Sequence, residues 1–243
     1  MMMGQRNPVS ETATEPAFSL GDQLSASANI FIDPASAVKG MEGKYAWMAP
    51  VVITCVVGIV SGMIISPISA QIMQANPPEG MTPEQLEKAL SMTATIGKVM
   101  VAIVPILTLL KLAVLGGIMA GLSAMLDVKT SFRRMFTLVS YCSLIPMLQG
   151  IAATVVVKAK EGQLSSMQQL QPPFGLDLLF TETSKPVWAI LNYFSIFTIW
   201  YLVILALAYS FMTGASRTKA IMAITPIWVL SLLFSLLGAV FQR

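Results

Sequence analysis

Five apolar runs, each about the ~20 residues a helix needs to cross a hydrocarbon core about 30 Å thick, constrain this chain more than any other feature: 46–66, 99–125, 135–157, 187–212 and 220–241. In hydrocarbon each backbone amide must be bonded within its own segment, so each run is predicted to be a helix. The predicted fold class is therefore all-α, a polytopic membrane bundle with five transmembrane helices. Composition agrees: 11% of the 243 residues are charged, against roughly 25% in a soluble domain. An odd number of crossings places the termini on opposite sides. The two shortest loops, 127–134 and 213–219, carry Lys129, Arg133, Arg134, Arg217 and Lys219 against one acid, Asp127. Short basic loops stay cytoplasmic, so the N-terminus is expected inside and the C-terminus outside, with Arg133 and Arg134 at the membrane interface.

Three units follow. Residues 1–33 read as a polar cytoplasmic tail, residues 34–44 as a helix in the inner interface, and residues 46–241 as the five-span domain. Asp33 before Pro34 has the form of an N-cap with proline at the first helical position. Pro34, Val38 and Met41 are then expected toward the membrane, with Lys39 and Lys44 toward headgroups; an ordinary linker is the alternative. In the first outer loop Thr82-Pro83-Glu84-Gln85 has capping-box spacing, so the second long helix is expected to start outside the bilayer. In the second, Pro172-Pro173 precedes a run at 174–180 too short to span, read as a re-entrant or surface-lying turn.

Several chemistries are excluded at this level. There is no histidine, and the two cysteines, Cys55 and Cys142, sit inside apolar runs, where they pack as small hydrophobes. Zinc sites, Cys/His catalysis and disulfide scaffolds fall away together, no GxxxxGK[ST] loop is present for nucleotide, and a net charge of +3 without a basic stripe gives no nucleic-acid footprint. No cofactor and no enzymatic activity are expected. Trp47, Trp188 and Trp228 near span ends read as an aromatic belt.

Lys111 is the anomaly. It lies near the middle of the second span, where a charge costs roughly 2.5–3.5 kcal/mol on insertion scales, and none of the five spans contains an acid. Within the chain the Tyr141 hydroxyl, the Asn192 amide, Ser and Thr hydroxyls, or the Cys142 carbonyl that Pro146 leaves without its N–H partner could serve it. Three readings stand: a lysine packed against carbonyls, an acid supplied by another subunit, or a substrate or ion path. Gly117 and Gly121 form a GxxxG arrangement, a surface for close helix approach.

Taken in order, the segment 33–40 before the first span, Ser131-Phe132 leading to Tyr141, Ser143 and Pro146, Asn192-Tyr193-Phe194-Ser195-Ile196 opening the fourth span, and the turn 213–220 resemble the YIP (Ypt/Rab-interacting protein) family of five-span membrane proteins. The likeness covers about 31–241. Asn192 stands where the family often has an acid, and the Asp-Leu-Tyr-Gly-Pro-like motif of eukaryotic members is absent, which points to the bacterial branch and the cytoplasmic (inner) membrane. Some bacterial members are companions of ABC-type exporters that have a periplasmic adaptor. The resemblance thus implies a non-enzymatic accessory subunit that stabilises or assembles such an efflux complex, with the permease, the ATPase and the bilayer as partners. Lys111, Tyr141, Pro146, Asn192, Gly117 and Gly121 are the candidate partner or path residues. The alternatives are an autonomous solute or ion channel lined by Lys111, and a membrane-organising or trafficking protein acting through its N-terminal segment.

Overall fold

The computed structural model describes residues 19–241 apart from 40, 42, 44, 78, 79 and 181–184, with backbone only at 94, 97, 98, 101, 185, 186 and 238–241. Residues 1–18 of the expected tail and Lys44 fall outside that description. Among the described residues the fold is helical: α1 (Leu20–Asn29), α2 (Pro34–Lys39), α3 (Met48–Ala75), α4 (Pro83–Met125), α5 (Phe132–Cys142), α6 (Leu144–Ala159), α7 (Lys185–Tyr193), α8 (Ile196–Thr213) and α9 (Arg217–Phe241), with two short 3-10 turns between α6 and α7. Among the described residues five segments are long and apolar enough to cross a membrane: α3, Ala102–Met125 within α4, α5 with α6, α8, and Arg217–Leu237 within α9.

The crossings depart from unbroken rods in two places. The third is interrupted at Ser143, three residues before Pro146. Proline has no N–H for the Cys142 carbonyl, and its ring crowds that same oxygen, so the helix opens there and resumes through the Met147 N–H on Ser143 O at 3.1 Å. Pro67, Pro105 and Pro226 are carried inside α3, α4 and α9 without such a break. The fourth expected run, 187–212, is also two helices. α7 ends at Tyr193, and Ser195 restarts the chain as N-cap of α8 by accepting the Thr198 N–H at 3.1 Å.

At the basic end of the bundle, arginine and lysine close helix C-termini. α4 stops in a Schellman arrangement: Val128 N–H reaches Ser123 O at 2.9 Å and Asp127 N–H reaches Ala124 O at 3.2 Å, with Asp127 itself at φ 54°. Lys219 Nζ donates to Leu126 O at 2.8 Å. α8 ends on Gly214 at φ 70°, and Arg134 Nη2 donates to Met212 O at 2.7 Å. Each cation meets the negative end of a helix dipole and satisfies a terminal carbonyl. Thr82 opens α4 with the capping box its spacing suggests, its backbone N–H on Gln85 Oε1 at 3.0 Å.

The N-terminal helices belong to the bundle. α1, inside the stretch read as a polar tail, is started by a capping box between Ser19 and Asp22. Ala26, Ile30, Ala37 and Met41 are buried in one cluster with Tyr141, Ile204, Leu205 and Ala208, and Phe31 packs on Trp200 with ring centroids 5.8 Å apart. α3 begins without a side-chain cap of its own. Gln23, buried on α1, supplies one from outside, its Oε1 accepting the Ala49 N–H at 3.0 Å.

Candidate functional site

All five crossings line one internal cavity of about 510 Å³. Short residues contribute to its lining, Gly58 and Ser61 on α3 and Ser143 and Gly150 around the proline break. Its walls are mainly apolar, including Leu112, Leu202, Leu205 and Ile227, and Lys111 lines it from α4. Lys111 is also exposed, beside the exposed Leu107, Leu110 and Val114, so the cavity opens to the outside of the bundle along α4. Among the described residues Lys111 has no hydrogen-bond or ion-pair partner; the ion pair they form joins Lys158 to Glu161. Trp228 lines the cavity from α9, and its indole N–H is buried without an acceptor among the described residues. A second cavity, about 590 Å³, runs from the end of α6 through the following loop to α7, with Gln163, Gln168, Gln169 and Gln171 in its lining.

Tyr141 and Asn192, expected as partners of Lys111, are engaged elsewhere. The Tyr141 hydroxyl is fully buried and donates to Ala46 O at 2.9 Å, tying α5 to the segment before α3. The Asn192 amide donates to Asp177 Oδ2 at 2.9 Å. Ser143 and Thr54 line the cavity, yet their hydroxyls donate to Ser140 O at 2.7 Å and Pro50 O at 2.8 Å. Pro146 does share the cavity with Lys111.

Other expectations change as well. A Cβ on Gly121 would meet nothing within 4 Å and one on Gly117 only Phe132 Cε2 at 3.9 Å, whereas one on Gly116 would sit 2.9 Å from Phe136 Cα. Gly116 is therefore where α4 and α5 touch backbone to backbone, and the GxxxG face is turned outward. Pro34 and Met41 are buried in the bundle rather than set toward lipid, Val38 packs against the core, and Lys39 is exposed. Arg133 is exposed, while Arg134 caps α8.

A latch outside the crossings escaped the sequence reading. Gly175 pairs with Ser195 as an isolated antiparallel bridge. Asp177, buried, accepts from the Gly175 N–H at 2.9 Å as well as from Asn192. A Cβ on Gly175 would lie 2.7 Å from Leu191 O, so only glycine permits this approach. The run 174–180 is thus a surface turn clamped on the α7–α8 junction, with Leu178, Leu179 and Phe180 exposed. Asp177 as the one charge within the apolar run 174–180 was the available signal. On the other side of that junction the Tyr193 hydroxyl donates to Trp228 O at 3.2 Å, holding α7 on α9.

The crossings, the proline break and the latch together make up the region matched by one family model, the Yip1 domain, over residues 28–239. The chain belongs to the Yip1 family. The Yip1 domain thus takes in the end of α1, all of α2, the cavity and the latch, in keeping with the resemblance carried by 33–40, Tyr141, Pro146 and the opening of the fourth span. It is a multi-pass membrane protein with an all-α Yip1 bundle. No curated protein and no solved structure matches the chain.

Proposed function

We propose that this Yip1-family chain is a non-enzymatic membrane-organising protein, working by holding other membrane components rather than by covalent chemistry. The observation that carries the reading is how the bundle uses its interior polar groups. Tyr141, Ser123, Tyr209, Asp177 and Asn192 are joined to other helices or to backbone as fasteners. The surfaces turned outward along α4, Leu110, Val114, Gly117 and Gly121, are apolar and small, the kind of face on which another transmembrane helix can pack closely.

The narrower form of this proposal is the accessory subunit: a protein of the bacterial inner membrane that binds and stabilises an ABC-type efflux transporter with a periplasmic adaptor. The departures from the eukaryotic pattern and the outward GxxxG face support it. Purification from native membranes in mild detergent should then recover a permease or ATPase subunit, and Gly117→Leu with Gly121→Leu should release it while the bundle stays folded. Recovery only as a lone or self-associated protein, in the unaltered chain, counts against the accessory role and leaves the trafficking-type form of membrane organisation.

A further inference from the structure

We propose that the cavity binds an anionic lipid of the bilayer, with its acidic head on Lys111 and an acyl chain among Leu112, Leu202, Leu205 and Ile227. This goes beyond the organising role and does not depend on it. One donor defines the polar requirement. Lys111 lines the cavity and has no partner among the described residues. A charge in the middle of a span is costly without a partner, and a carboxylate or phosphate oxygen supplies the acceptor with charge complementarity to lysine.

The remaining wall decides the rest of the ligand. An apolar lining with a few polar groups suits a molecule that is mostly hydrocarbon, and about 510 Å³ lies within the roughly 300–1,000 Å³ of small-ligand pockets. The entrance points to the source. Lys111 is exposed beside Leu107, Leu110 and Val114, a face that in the membrane meets acyl chains, so the chain of a lipid enters sideways without leaving hydrocarbon. A soluble anion would have to cross it. The four-carbon stem of lysine lets its ammonium meet a head group that is not level with the helix position.

The test uses the full chain in phosphatidylcholine nanodiscs with a diazirine-bearing fatty acid and, separately, its methyl ester. The acid should photolabel peptides covering 139–150, 198–205 or 224–231, and the neutral ester should label them weakly. Lys111→Gln should lower the acid's label about tenfold or more, the loss of one charge-assisted hydrogen bond, and Lys111→Arg should keep most of it. Equal labelling by acid and ester, or label confined to Leu107, Leu110 and Val114, would overturn the proposal without any variant. So would a label unchanged in monodisperse Lys111→Gln protein. Displacement of the acid by inorganic phosphate would assign the site to a soluble anion and overturn the lipid.

Discussion

Ser123 donates its single hydroxyl proton to Met119 O at 2.6 Å, so in its 2.8 Å contact with Tyr209 the tyrosine is the donor. Both residues are fully buried, and the direction sets an asymmetry. Tyr209→Phe removes one hydrogen bond and should cost about 1 kcal/mol, whereas Ser123→Ala strands a buried O–H and should cost nearer about 2 kcal/mol. The double variant should recover part of the loss, read as a coupling in thermal unfolding in detergent; additive costs would mean the two hydroxyls are independent. Asp33 gives a pH prediction of known sign. Hydrogen bonds from the Ser36 hydroxyl and N–H hold its carboxyl below the ordinary 3.8. A depressed folded value stabilises above the unfolded value and is lost as pH falls through the folded one, so the seating of α2 should weaken below about pH 4. Asp33→Asn, which can still cap, should flatten that limb when Phe31–Trp200 packing is followed by fluorescence. The oddity of Lys111 was legible as a charge in an apolar run. Its neighbours were not, because a hydroxyl's partner depends on how each helix is rotated, and Tyr141 and Asn192 are turned toward Ala46 and Asp177.

Helix existence was readable because hydrocarbon permits few alternatives, and the capping box at Thr82 was readable from its own four residues. The breaks were harder. Pro146 opens the third crossing at Ser143 while Pro67, Pro105 and Pro226 leave their helices continuous, so a proline in an apolar run does not by itself locate a break. The split at Phe194 depends on Gly175, from a distant loop, pairing with Ser195. The glycines of α4 show the same limit: spacing singled out Gly117 and Gly121, and the close approach is at Gly116. Gly116→Ala should therefore cost about 1–3 kcal/mol, since a Cβ there meets Phe136 backbone and not a movable side-chain tip. Gly117→Ala and Gly121→Ala should be neutral or stabilising by up to about 1 kcal/mol through helix propensity. Unfolding midpoints of the three variants check this, and a Gly117→Ala loss as large as that of Gly116→Ala would contradict the packing.

For the whole molecule, the largest revision concerns the N-terminus. Low apolar content hid α1, whose small buried residues, Ala26 and Ser27, look like tail composition; the Ser19 to Asp22 spacing was the readable trace. Because Ile30, Ala37 and Met41 lie in the main core, Ile30→Ala should lower the unfolding midpoint by several degrees, while Lys39→Ala on the exposed side of α2 should leave it within error. Equal effects of the two substitutions would refute α1 and α2 as structural parts. The Gln23 contact with the start of α3 is local, but α2 packs chiefly against α8, and chains emerge N-terminus first. These helices, made before the five crossings, are thus among the last to be seated. Until the fourth crossing has been inserted, Phe31 and α2 have no α8 to pack on, so biogenesis must shelter them, and a stalled or shortened chain would display that uncovered face as its mark of incompleteness.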